Sequence, residues 1–232
     1  MWPGRLFVNF PEWKKRILRN IGNDIVDLCH PDAIARWDDI RFADRVFTPA
    51  EQEQVRSSAF PDICLWIFWA AKESAYKAIS KSFPEVSSSP RKYEASFGVI
   101  EFPSVVQGRV TTPEKPVQVQ VVIEKDFVHG LGITGLTQDF YDIETGIYQI
   151  GADHEIDCIL PEQESFLVRE LAGKRIAAHA NVPVSEVQIR REPIRNQPGP
   201  PEVYIKGEKS MISISLSHDG RFVAYAFSRL DP

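Results

Sequence analysis

Trp69-Ala70-Ala71-Lys72-Glu73-Ser74-Ala75-Tyr76-Lys77 carries a carboxylate and two ammonium groups, with an aromatic anchor just before Lys72. On a helix Glu73 and Lys77, four positions apart, share one face. The preceding residues Ile63, Leu65, Trp66, Ile67, Phe68 and Trp69 are apolar, so the pattern predicts a largely buried helix over about 62–80. Trp66, Phe68 and Trp69 are expected in the core. Charges on such a helix need a partner or a task, because removing them from water is costly. The plain alternative for Glu73 and Lys77 is a helix-surface pair worth about 0.3–0.5 kcal/mol.

Two distant segments bear on that helix. Ile21-Gly22-Asn23-Asp24-Ile25-Val26-Asp27-Leu28 reads as a strand running into a turn, with Asp24 and Asp27 near its end. Ile212-Ser213-Ile214-Ser215-Leu216-Ser217-His218-Asp219 alternates apolar and small polar residues, and Gly220 opens a turn into Arg221–Phe227. This predicts a hairpin with Ser217 and His218 at its tip. Ser217-His218-Asp219 is no catalytic triad, since consecutive residues of an extended segment do not converge, and no Gly-x-Ser-x-Gly elbow occurs.

Composition narrows the class. With 232 residues, 43% hydrophobic and 25% charged, the chain can bury a substantial core. A formal charge of -5 without a long Lys/Arg cluster argues against nucleic-acid binding as the main task. Cys29, Cys64 and Cys158 are widely spaced and form no Cys-x-x-Cys pair, so free thiols are expected rather than a metal knuckle or disulfide framework. The first residues lack a signal-peptide apolar run, and no stretch approaches the roughly 20 apolar residues of a membrane helix. A cytoplasmic protein without membrane association is expected.

Patterning predicts helices over about 31–43, 49–58 and 62–80, then strands over 92–102, 105–111 and 116–125. The second half is expected to hold a strand at 147–150, a helix from Glu162 to Ala180, and strands at 186–192, 202–206, 211–217 and 221–228. Phe127–Thr134 and Arg221–Ser228 echo each other at the ends of the halves, which suggests an internal repeat with units 1–140 and 141–232.

The Gly-x-Asp-Ile strand, the Trp-x-x-Lys-Glu-Ser-x-x-Lys helix and the Ser-His hairpin together resemble the 4'-phosphopantetheinyl transferases, which move phosphopantetheine from coenzyme A to a carrier-protein serine. Val46-Phe47-Thr48-Pro49-Ala50-Glu51 is similar to the family's Phe-(Ser/Thr)-x-x-Glu segment, and Ser89–Glu94 to the entry of its next strand. The resemblance implies an α+β pseudo-dimer of two similar halves, antiparallel sheets packed with helices, with coenzyme A in the cleft between them and a monomeric chain. The Asp and Lys-Glu half comes first here, whereas the long type places the Ser-His half first, so the order resembles a circular permutation. The Asp-Ile-Val-acid spelling resembles the short holo-acyl-carrier-protein synthases.

The resemblance also implies roles. Asp24 and Glu73 would hold Mg²⁺, and Glu73 would take the serine proton or position the water that does. Lys77 would stabilise the pyrophosphate and the leaving 3',5'-ADP, and Lys72 would also touch phosphate. His218 and Ser217 would bind the 3'-phosphate of coenzyme A. Asp27 follows the position where the long type has a third carboxylate, occupied here by Val26, and would stand behind the metal. The family's Gly-(Lys/Arg)-Pro base is missing, because Gly199-Pro200-Pro201 stands there. Substitutes are available in Arg190, Arg191 and Arg195, and in Arg169, Lys174 and Arg175 on the preceding helix, of which Arg169 is taken as a coenzyme A contact. Those helix bases also have a plain reading as solvent-facing neighbours of Glu162, Glu164 and Glu170. The implied partner is an apo acyl or peptidyl carrier protein. A non-catalytic relative that binds carrier or nucleotide is the second reading.

Overall fold

The computed structural model describes residues 19–98, 100, 104–135, 137–151, 163–194 and 197–228. Among them β1 (Ile21–Asp27), β2 (Glu94–Phe97), β3 (Ser104–Thr111), β4 (Val117–Ile123) and β5 (Phe127–Ile133) form an antiparallel sheet in the order β1-β5-β4-β3-β2. A second antiparallel sheet holds β6 (Ile143–Gln149), β7 (Val187–Ile194), β8 (Gln197–Ile205), β9 (Glu208–Asp219) and β10 (Phe222–Ser228) in the order β6-β10-β9-β8-β7. The orders are the same: each half starts on an edge strand, passes through helix, and ends on the strand beside that edge. The echoing segments 127–134 and 221–228 fall on β5 and β10, the equivalent places. The chain is an α+β protein of two similar halves.

The helices are α1 (Ile40–Val46), α2 (Pro49–Ser57), α3 (Pro61–Ile79) and α4 (Glu164–Ala180). Thr48 and Glu51 close a capping box around the start of α2, with Pro49 in its first turn. The single helix expected over 31–43 is instead two short 3-10 turns, Pro31–Ala33 and Arg36–Asp38, followed by α1. Ala35 at φ 55° breaks the run, and the Asp39 carboxylate accepts from Phe42 N to start a new helix. Strand β2 is shorter than the 92–102 expectation and β6 begins before 147. No helix among the described residues is long and apolar enough to cross a membrane.

Helix α3 lies against β1 and β5 so closely that side chains are excluded beneath it. A Cβ on Gly22 would lie 1.9 Å from Ser74 O, and one on Gly130 2.5 Å from Ala70 O. Glycine in Gly-x-Asp is therefore what lets the helix reach the strand. Trp66 and Phe68 join the core under α3, and Cys64 is buried while Cys29 is exposed. Cys158 lies outside the described residues.

The halves meet along β1. As an edge strand, β1 has outward N–H groups with no neighbouring strand. Side chains of β9 take the place of one: Ile21 N donates to Ser213 Oγ at 3.1 Å, Asn23 N to Ser215 Oγ at 2.8 Å, and Asp27 N to Asp219 Oδ2 at 2.8 Å. Alternate oxygens on one strand thus act as acceptors for alternate amides on the other. Two apolar clusters adjoin this ladder, one of Ile21, Leu131, Ile133 and Ala226 and one of Ile25, Phe222 and Ala224.

Candidate active site

Asp24 and α3 build the centre of the site. Lys77 Nζ donates to Asp24 Oδ1 at 2.6 Å and to Asn23 O at 3.0 Å, so the helix ammonium is pinned to the strand. Burial raises the Asp24 pKa, opposed by Lys77. Glu73, one turn before Lys77, has no hydrogen-bond or ion-pair partner among the described residues. Burial first, and then repulsion from Asp24, push its carboxyl up to about 7, with Lys77 opposing. The fold thus holds two carboxylates together in a place that disfavours the charge of both.

That donor set fits a divalent cation. Magnesium is commonly held by one or two carboxylates, the rest of its shell being water and substrate phosphate. A cation would relieve the unfavourable charge that burial leaves on Asp24 and Glu73. No cluster of three or more His, Cys, Asp or Glu groups suited to a metal occurs among the described residues. The fit is to a two-carboxylate site completed by substrate.

Two clefts meet at the Asp24–Lys77 pair. One, of about 470 Å³, lies between the halves and is lined by Lys77, Lys81 and Tyr76 from the first and by Arg191, Gly199 and Pro200 from the second. The other, of about 310 Å³, is lined by Asp24, His218, Asp219, Arg36, Phe42 and Trp69. Lys81 faces the larger cleft, yet its three donors are taken by Ile21 O, Ser213 Oγ and Ile214 O. It ties the halves together.

Several expected site residues sit elsewhere or do other work. Lys72 is only 1% exposed and donates to Glu51 Oε2 at 2.5 Å and Val46 O at 2.9 Å, which removes it as a phosphate contact. The partner was visible in sequence as the Glu of Phe-Thr-x-x-Glu. Ser217 is not at a hairpin tip: it lies within β9, 4% exposed, with its Oγ buried and unpaired among the described residues. Asp27 does not stand behind a metal, because both its oxygens are taken by Arg221 and Cys29. Arg169 bonds Ser165 of its own helix and lies close enough to Arg191 for repulsion, which together with burial lowers the Arg191 pKa. Lys174 pairs with Glu170 at 2.7 Å, a carboxylate of its own helix, whereas Arg175 pairs with Glu144 of β6.

Two residues gain importance from the geometry. Arg191 is paired directly with Pro201 across the β7–β8 ladder and reaches Gly199 O at 3.5 Å, so its guanidinium sits beside the Gly199-Pro200-Pro201 stretch of β8, which has no base of its own. No carboxylate partner of Arg191 occurs among the described residues. Glu164, the first residue of α4, meets His218 Nδ1 at 2.7 Å. Arg191 is one of several bases the sequence offers and only cross-strand register singles it out, whereas Glu164 is revealed only by the packing of α4.

Residues 20–130 match the family model of the 4'-phosphopantetheinyl transferase superfamily. The match takes in β1 to β4, α1 to α3 and the first residues of β5, including Asp24, Glu73 and Lys77. No curated protein matches the chain.

Proposed function

The chain belongs to the 4'-phosphopantetheinyl transferase superfamily, and on that premise we propose that it transfers 4'-phosphopantetheine from coenzyme A to a serine of an apo acyl or peptidyl carrier protein in the manner of a holo-acyl-carrier-protein synthase. The observation that carries this reading is the buried Asp24–Lys77 pair with the unpartnered Glu73 beside it. An unpartnered carboxylate can accept a proton or orient the water that does, and an ammonium one turn away can meet a developing phosphate charge.

In this reading the serine Oγ attacks the β-phosphorus of coenzyme A, its proton passes to Glu73 or to a water that Glu73 positions, and the bond to the departing 3',5'-ADP breaks. Lys77 neutralises charge on the phosphate that leaves. Asp24 and Glu73 would hold Mg²⁺, which would screen the pyrophosphate from the incoming oxygen. His218 contacts the 3'-phosphate, and Arg191, with Arg169 nearby, supplies the positive charge missing at Pro200. We place the reaction in the cytoplasm, carried out by a monomer whose halves span 1–140 and 141–232.

The test is intact-mass spectrometry of an apo acyl carrier protein incubated with this protein, coenzyme A and Mg²⁺. A phosphopantetheine mass gain abolished by EDTA supports the transferase. No gain on carriers from several pathways, with the protein folded, favours the non-catalytic relative, the reading that Pro200 supports.

A further inference from the structure

We propose that Glu164 is a positioning residue for His218, fixing the imidazole through Nδ1 so that Nε2 is the nitrogen offered to a phosphate of the co-substrate. This rests on the transferase reading above.

The pair joins two elements that sequence leaves far apart. Glu164 opens α4, and His218 lies one residue before the end of β9. The Glu164 side chain is 15% exposed and the His218 side chain 43%, so the carboxylate is shielded while the ring still faces a cleft. Water competes poorly for such an acceptor, and the 2.7 Å contact is that of a charge-assisted hydrogen bond. Because the ring nitrogen donating to a carboxylate is spent, the other one is left for substrate, and it donates to a phosphate when the ring takes up a second proton there. Nε2 of His218 has no partner among the described residues.

The alternation of β9 explains why only this residue is so placed. Ser213, Ser215 and Asp219 point to β1 and accept its amides, and Ser217 shares their face. His218 points the other way, toward Asp24 and α4. The carboxylates of Asp24 and Asp219 both lie near the ring, so with Glu164 it has three acidic neighbours. An anion can approach such a place only if the ring takes a second proton at Nε2 and meets it as a fixed donor. The contrary reading, that Glu164 guards the site by repelling phosphate, predicts effects of opposite sign.

The experiment uses the full chain with Glu164→Ala and Glu164→Gln, the latter keeping an acceptor without its charge. Long-range ¹H–¹⁵N spectra of the unliganded protein read which nitrogen of His218 carries the proton, and calorimetry reads the affinity for coenzyme A relative to 3'-dephospho-coenzyme A. Nδ1 is expected to be protonated in the wild type and to lose that preference in Glu164→Ala. The preference for coenzyme A should fall about tenfold in Glu164→Ala and less in Glu164→Gln, with KM raised and kcat within about twofold. In a His218→Ala background Glu164→Ala should add nothing.

Unchanged Nδ1 protonation or an unchanged ratio overturns the proposal, and tighter coenzyme A binding by Glu164→Ala replaces it with the guard. A wild-type protein that binds no coenzyme A overturns the transferase reading and the phosphate role with it. The two failures are distinguishable because the spectra need no ligand.

Discussion

The Asp27 carboxylate and the Arg221 guanidinium, 194 positions apart in the chain, close on each other through two hydrogen bonds of 2.9 and 2.8 Å. Arg221 N adds a third to the same carboxylate, and Gly220, at φ 51°, leaves no room for a Cβ, which would lie 2.6 Å from Asp27 Oδ2. The end of the first strand is thereby locked to the last hairpin. Asp27 is 1% exposed, so its charge depends on these partners.

Arg221→Ala should therefore lower stability by about 2–4 kcal/mol in urea unfolding at neutral pH, since it strands a buried charge. Burial opposes ionisation of Asp27, but the bonds from Arg221 and Cys29 outweigh it and hold the pKa below its ordinary 3.8. With the folded pKa depressed, the stabilisation is present above 3.8 and lost as pH falls through the folded value. The gap between wild type and variant should accordingly shrink in acid. A gap independent of pH would separate the pair from the charge effect.

Glu51→Ala should be among the most damaging changes outside the site. Glu51 caps α2, accepts from Ala95 N at 2.8 Å, and neutralises Lys72, both side chains being 1% exposed. Removing it leaves an ammonium in the core, an effect of about 3–5 kcal/mol. Lys72→Met with Glu51 retained strands the opposite charge, whereas Glu51→Gln with Lys72→Met should recover much of the loss. Chemical denaturation of the three variants checks the order.

How far the site could be read from sequence follows from what made it. Asp24, Glu73 and Lys77 were singled out through the family resemblance, because spacing alone does not join a strand to a helix 49 positions on, and the close approach at Gly22 is what brings those two elements together. Lys72 was misread because its neighbours on α3 suggest chemistry, while its partner Glu51 lies on α2. Ser217 was misplaced because alternation gives the face of a strand but not what covers it. Arg191 and Glu164 depend on register and on the docking of α4, neither of which leaves a local signature. The 31–43 segment read as one helix because composition does not reveal the left-handed Ala35.

The serine ladder should show unequal rungs. Ser215→Ala removes the acceptor of the buried Asn23 N and should lower stability by about 1–2 kcal/mol. Ser217→Ala deletes a hydroxyl that has no partner and should change stability by less than about 0.5 kcal/mol. Thermal melts decide this, and coenzyme A binding by Ser217→Ala decides separately whether that hydroxyl serves the co-substrate. Loss of binding with an unchanged melt would restore the role first expected of it.

Glu73 offers the sharpest test, because stability and activity should move in opposite directions. Its folded pKa of about 7 lies above the ordinary 4.5, so the fold favours the protonated carboxyl. That stabilisation is full below 4.5 and disappears as pH rises through 7. Glu73→Gln, which resembles the protonated form, should match the wild type near pH 4 and exceed it at pH 8 by on the order of 1–2 kcal/mol, allowing for solvent screening. Transfer should nevertheless fall by about 10²–10⁴-fold. Mg²⁺ should raise the wild-type melting temperature at pH 8 more than at pH 6, since proton and cation compete for one carboxylate, and it should act little on the variant. A variant that is less stable at pH 8, or one stabilised by Mg²⁺ as much as the wild type, would remove Glu73 from the metal site and leave Asp24 without its partner.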